Sequence, residues 1–215
     1  MNDFIEETRA GYDRAAAEYA RRLFNELDYK PKTRDILRRF AGLVRGKGPV
    51  CDLGCGPGEI AAFLAQQGID DVFGIDLSPQ MVLEAARLSP KIPFRVGNML
   101  ALDALSGSWA GIAAFYSIIH IPREQVVEAL RELKRVLKPG GVLLLTFHLG
   151  NTVIRTQEFM GEQVGIDFYL FEVAEMYGYL CKAGFVVDEI IQRAPYPDVE
   201  SQTRRAYVFA HKPGE

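Results

Sequence analysis

The segment Val50-Cys51-Asp52-Leu53-Gly54-Cys55-Gly56-Pro57-Gly58-Glu59 constrains the fold more than any other part of the chain. A short apolar run stops at alternating glycines, and a helical stripe with Ile60, Phe63 and Leu64 on one face begins directly after it. That pattern is a buried strand turning into a helix, the opening of a βαβ unit. Glycines at 54, 56 and 58 let the backbone turn tightly and approach a ligand closely, because no Cβ stands in the way. The next apolar run leads into Asp76, 22 residues beyond Gly54, where a carboxylate can accept two hydrogen bonds from a ribose diol. Loop and carboxylate together point to a nucleoside-bearing cofactor.

Around this unit the chain alternates short apolar runs with amphipathic helices. Strands are expected at 50–53, 72–75, 94–96, 112–116 and 142–147, and helices at 59–67, 79–88 and 124–137, the last stopped by Pro139-Gly140-Gly141. Ser78 with Pro79 behind it has the form of a helix N-cap. Before position 46, Tyr12, Ala16, Tyr19 and Leu23 and then Ile36, Leu37 and Phe40 mark two helices interrupted at Pro31. Beyond the core, 172–183 has a helical pattern ended by Gly184, and 185–191 and 207–210 are strand-like. Residues 149–168 lack a clean period and are expected to form an irregular insertion at the mouth of the sheet.

Composition narrows the function classes. With 215 residues, one domain is the default size, and 48% hydrophobic against 25% charged residues excludes a disordered chain. A formal net charge of -3 supplies no positive field for a polyphosphate backbone, so nucleic acid is not an expected partner. No apolar run approaches the ~18 residues needed to span a bilayer. The acidic opening, residues 1–7, is unlike a signal peptide, which sets the expectation of a cytoplasmic protein. Cys51, Cys55 and Cys181 form no CxxC pair, and His120, His148 and His211 are scattered, so neither disulfides nor a metal is expected.

The glycine spacing selects among cofactors. A dinucleotide loop, GxGxxG, would need glycine at position 59, where Glu59 would obstruct and repel a pyrophosphate. The observed D-x-G-x-G-x-G over Asp52 to Gly58 instead resembles the first motif of the class I S-adenosylmethionine (SAM)-dependent methyltransferases. Gly74-Ile75-Asp76-Leu77-Ser78, Val96-Gly97-Asn98-Met99 and Leu137-Lys138-Pro139-Gly140-Gly141 follow in that family's order. Tyr12-Asp13-Arg14-Ala15-Ala16-Ala17-Glu18-Tyr19 is similar to a segment that folds over the cofactor in its small-molecule branch.

The resemblance implies an α/β fold with a doubly wound, seven-stranded, mostly parallel sheet under an N-terminal helical lid. It divides the chain into a lid (1–46), a SAM-binding core (47–148) and an insertion with the C-terminal sheet edge (149–215). It implies that Gly54, Gly56 and Gly58 pack on the aminoacyl end and sugar of SAM, that Asp76 holds the ribose, and that Asn98 and Met99 flank adenine. In place of the family's frequent Asp, Asn98 would accept the adenine amino proton through its amide oxygen. Asp52, Cys55, Leu77 and Ser117, in or beside these motifs, and Tyr12 and Tyr19 of the lid are placed with the cofactor contacts.

The implied activity is direct methyl transfer from SAM to the N, O or C nucleophile of a small-molecule acceptor, leaving S-adenosylhomocysteine, with no metal. His120, just past the fourth strand, is the candidate general base, and His120, His148 and Tyr169 are candidate acceptor contacts. Phe171 is expected to pack the insertion, and Arg204-Arg205 to be a solvated face, with Arg204 a secondary candidate for reading an acidic substrate from the sheet edge. The alternatives are a SAM-binding module without transfer and, less favoured because of Glu59, a nicotinamide oxidoreductase.

Overall fold

A computed structural model describes residues 3–214. The elements run α1 (Asp3–Leu23), a single 3-10 turn (Glu26–Tyr29), α2 (Pro31–Val44), β1 (Val50–Leu53), α3 (Glu59–Gln66), β2 (Val72–Asp76), α4 (Pro79–Leu88) and β3 (Phe94–Val96). They continue with β4 (Trp109–Phe115), a 3-10 turn (Ile118–His120), α5 (Arg123–Val136), β5 (Leu137–His148), β6 (Val153–Phe159), β7 (Glu162–Tyr169), α6 (Val173–Ala183), β8 (Val186–Arg193) and β9 (Arg205–His211).

Seven strands form one sheet in the order β3-β2-β1-β4-β5-β9-β8. The first five pair in parallel, and β9 runs antiparallel to both β5 and β8. Period-two alternation divides the strands between two helical layers. Leu143, Leu145 and Phe147 of β5 pack with α5 and α6, whereas Val142 and Leu144 pack with α2 and α3. Ala206, Val208 and Ala210 of β9 join the first layer, and Tyr207 and Phe209 join the second. The doubly wound, mostly parallel sheet is therefore present as expected, with β1 and β4 adjacent where the strand order reverses.

Several element boundaries differ from the sequence expectation: β4 starts at Trp109 rather than 112, and β9 at Arg205 rather than 207. Helix α5 ends at Val136, and β5 starts at Leu137, running through Pro139-Gly140-Gly141 rather than after it. Leu137 already pairs with Trp109, and the Gly140 N–H donates to Lys212, so this stretch is held as an edge of the sheet. The larger correction is residues 149–168. They are not irregular but form an antiparallel hairpin, β6–β7, as a separate two-stranded sheet. Its two-residue turn is Met160-Gly161, with φ of 57° and 87°. Two successive positive φ values match the right-handed twist of a hairpin, but they are usually signalled by Asn-Gly or Asp-Gly.

The hairpin packs on α1. Val164 and Ile166 point inward, and Gly11 of α1 lies so close to Ile166 that a Cβ there would stand 2.6 Å from its Cδ1. Arg14 donates to the Gln163 carbonyl, and Arg155 pairs with Glu7 at 2.8 Å. On its other side α1 is tied to α4. Ser78 caps α4 by accepting from the Met81 N–H at 3.1 Å, and its own hydroxyl donates to Asp13 of α1 at 2.6 Å. Because Ser78 is fully buried, Ser78→Ala removes a cap and orphans part of Asp13. It is expected to lower unfolding free energy by about 1–2 kcal/mol in urea titrations; a loss below about 0.3 kcal/mol would show that the cap and lid tie contribute nothing.

Candidate functional site

One cavity of about 880 Å³ opens at the carboxyl ends of β1, β2, β4 and β5, the edge where open α/β sheets place their ligands. Strand β1 brings Gly54, Cys55 and Gly56; β2 brings Asp76 and Leu77; and the turn after β3 brings Asn98 and Met99. Beyond β4 stand Tyr116, Ser117 and His120, and β5 ends in His148. Tyr12 and Tyr19 of α1 close the cavity from above, with Phe159 and Phe168 of the hairpin beside them.

The loop is set by its own backbone. The N–H groups of Gly54 and Cys55 both donate to the Ile75 carbonyl, and the Ser117 hydroxyl donates to the Leu53 carbonyl. Asp76 accepts one backbone N–H on each carboxylate oxygen, from Gly56 and from Ser78, both at 2.8 Å. Burial raises its pKa, and backbone hydrogen bonds, these two foremost, hold the rise to about 6. At neutral pH the group is a carboxylate with a lone pair left on each oxygen. Gly56 has φ of 50°, and a Cβ there would project toward the Tyr19 ring, 3.8 Å away, into the space between loop and lid.

His120 sits at the centre of a directional pair of bonds. Its Nδ1 lies 3.0 Å from the Asp167 carbonyl, which can only accept, so Nδ1 carries the proton. Nε2 is then the bare acceptor, and the Tyr12 hydroxyl donates to it at 2.9 Å. Burial pushes the imidazole down to about 4, so it is neutral at physiological pH. His148, stacked on Tyr116 at 4.8 Å, is held at about 4 by burial first and by the nearby Arg205 guanidinium second.

Several sequence expectations move. Asp52 and Gly58 do not line the cavity. Asp52 is fully buried behind the loop, where one carboxylate oxygen accepts from the Ala61 N–H, and burial raises it to about 8. Gly58 starts α3 with φ of 85°, packed against Phe94, so both residues hold the loop's shape rather than touch a ligand. Tyr169 faces away, stacked on Phe171 with the Arg123 guanidinium over both rings. The Asn98 amide oxygen is already engaged by the Leu100 N–H at 3.0 Å. Glu59 does line the cavity and accepts from the Leu27 N–H, but burial pushes it up to about 9, so it would bar a pyrophosphate by bulk and not by charge. Arg204 is exposed; its neighbour Arg205 is the arginine in the cavity wall.

Among the cavity residues that the sequence did not single out are Lys30, Tyr116, Phe159, Phe168, Glu200 and Arg205. Tyr116 carried a signal only in hindsight: φ of 51° on an aromatic residue, a strained conformation held by its N–H donating to the Thr146 hydroxyl. Among the described residues no group of His, Cys, Asp or Glu could hold a metal ion, and no helix is long and apolar enough to cross a membrane.

Residues 50–141 match a family described as a methyltransferase domain. The chain is 36% identical over 99 residues to a 2-methyl-6-phytyl-1,4-hydroquinone methyltransferase of Synechocystis, covering 45% of this chain and 30% of that one. It is 32% identical over 147 residues to a malonyl-[acyl-carrier protein] O-methyltransferase of Enterobacter lignolyticus, covering 64% and 51%. The chain thus spans about half or less of the length of these curated relatives. The crystal structure of magnesium protoporphyrin IX methyltransferase from Synechocystis with bound SAM has the same fold, with a TM-score of 0.75 over 99% of this chain and 98% of that one at 18% identity. Residues 50–141 are thus similar to methyltransferase domains, and the whole chain shares the fold of that SAM-bound structure.

Proposed function

We propose that this chain binds SAM and transfers its methyl group to a small-molecule acceptor. The observation that carries this reading is the continuity of one cavity from Asp76 and Gly56, beneath Tyr19, to the Tyr12–His120 pair. The donor set suits SAM. Asp76 has an unused lone pair on each oxygen for a ribose diol, and the space a Cβ at Gly56 would fill is open. Bound there, SAM supplies an electrophilic methyl group on a sulfonium.

The chain's own part is to align the acceptor, exclude water and receive a proton. Asp76, Leu77, Asn98 and Met99 would hold the nucleoside, and Gly54, Gly56, Cys55, Ser117 and Tyr19 the aminoacyl end. Tyr12 and His120 form a relay: an acceptor hydroxyl or amine gives its proton to the Tyr12 oxygen while the Tyr12 proton passes to His120 Nε2. Direct attack on His120 Nε2 is blocked by that hydroxyl, so His120 acts through Tyr12.

Calorimetric titration with SAM and S-adenosylhomocysteine tests the cofactor. Each hydrogen bond to a charged group contributes about 1.5–3 kcal/mol, so Asp76→Ala is expected to weaken binding at least about tenfold. Affinity also falls as pH drops through about 6, where Asp76 gains a proton and loses an acceptor site. No binding by the folded wild type would overturn the reading.

The relay predicts a different pH response. Because His120 is the free base above about 4, the turnover rate at saturating SAM has no inflection near the ordinary histidine value. His120→Gln lowers that rate about 100-fold while leaving S-adenosylhomocysteine affinity within about threefold. An unchanged rate in His120→Gln, measured as S-adenosylhomocysteine release over an acceptor panel, would remove the relay.

A further inference from the structure

The cavity's end farthest from the glycine loop is built from charge. Strand β9 lies three neighbours beyond β1, through β4 and β5, which at about 4.8 Å per strand places it roughly 14 Å from the loop's strand. Its first residue, Arg205, pairs in register with His148 and is only 2% exposed. Both Arg205 Nη atoms donate to the 201–203 backbone, at 2.5 Å to Thr203 and 3.0 Å to Ser201. Its Nε, also buried, has no hydrogen-bond partner; the nearest carboxylate oxygen, Glu200 Oε2, is 3.3 Å away in ion-pair contact. Lys30, 5% exposed, reaches in from the lid, 2.6 Å from Glu26 and 3.4 Å from Glu200.

Glu200 is overcommitted. Its buried carboxylate also takes both Nη groups of Arg193, which stands behind the wall with Nε on the Tyr207 hydroxyl. Burial would raise Glu200, but these partners hold it down at about 2, so it stays charged. Three cations therefore share Glu200 and the half-buried Glu26. The other titratable groups facing this end do not close the balance. His148 is neutral, Glu59 is protonated, and Asp198 is exposed at the rim, where water screens it. One positive charge is left without a buried counterion, an expensive arrangement for a wall whose structural tie, Arg193 to Glu200, is already complete.

We propose that Lys30 and Arg205 anchor the acceptor, and that the acceptor is a small carboxylate with an apolar body. The inference rests on the methyl-transfer reading and specifies its substrate class. A monoanion matches the single uncompensated charge, and its two carboxylate oxygens match Arg205 Nε, which has no hydrogen-bond partner, and Lys30 Nζ, which would share its protons between Glu26 and the ligand. The apolar body lies along Leu27, Ile119, Phe159, Phe168 and Leu170, which line the span toward the Tyr12–His120 pair. The methionine carboxylate of the cofactor is the competing occupant, and the strand separation disfavours it for Arg205.

The test is calorimetry on the protein saturated with S-adenosylhomocysteine, using octanoate and its uncharged counterpart octanamide as probes. Octanoate is expected to bind at least about tenfold tighter than octanamide, and Lys30→Gln and Arg205→Gln to abolish that preference while S-adenosylhomocysteine binding stays within about threefold. Equal binding of the two probes overturns the proposal. So does a fall in S-adenosylhomocysteine affinity in either variant with 5′-methylthioadenosine, which lacks the methionine carboxylate, unaffected: the cations would then serve the cofactor. Should Arg205→Gln fail to fold, Lys30→Gln decides alone. If wild-type protein binds octanoate but not S-adenosylhomocysteine, the methyl-transfer reading fails while the anion site stands.

Discussion

The structure depends on how a buried carboxylate, Asp76, is held. Removing it from water costs several kcal/mol, and backbone N–H groups, chiefly those of Ser78 and Gly56, offset that cost from within the chain. One belongs to the glycine loop and the other to Ser78, which caps α4 and donates to Asp13 of the lid. The loop's shape, the second crossover helix and the position of α1 are thereby coupled through a single side chain. Because the two bonds leave the group at about 6, its charge is only partly secured at neutral pH. Two further hydroxyl donors would complete its solvation, and a ribose diol, as proposed, would supply them.

The rest of the cavity is divided by electrostatics more than by shape. Under the lid burial neutralises three groups, with Asp76 the carboxylate that persists at the loop: His120 loses its proton, Glu59 keeps one, and the Cys55 thiol is pushed well above its ordinary value. Around Glu200 the opposite holds, since ion pairs outweigh desolvation and charges persist. A cationic methyl donor would be better placed against the first environment, beside the Asp76 carboxylate, than beside Lys30 and Arg205. The same chain thus offers a low-charge end and a cationic end within one enclosure, and the two reactants differ in the sign each can tolerate.

What was legible in the sequence follows from range. The glycine loop, Asp76, the Ser78 cap and strands β1 and β3 are local patterns, so periodicity and turn chemistry located them without knowledge of the fold. Lys30, Glu200 and Arg205 meet only because β9 inserts antiparallel between β5 and β8 and carries the 194–204 loop over the cavity mouth. No spacing in the chain encodes that encounter; Arg204 and Arg205 are indistinguishable until strand alternation sends one out and the other in. Tyr169 failed for the same reason, pairing with Arg123 from α5 rather than facing the pocket.

The hairpin shows why a segment without obvious pattern can be functionally exact in geometry. Tyr12, His120 and Asp167 come from α1, the turn after β4, and β7, and each bond fixes the direction of the next: the Asp167 carbonyl sets the imidazole tautomer, and the tautomer makes the Tyr12 hydroxyl a donor. A carbonyl on a strand points to one neighbour only, so a one-residue slip of β7 would turn Asp167 away from His120 and take Ile166 off Gly11. The two-residue turn at Met160-Gly161 prevents that slip by pairing Phe159 with Glu162. Accepting a methionine at positive φ is the conformational cost of a register that keeps the lid and the candidate base in contact.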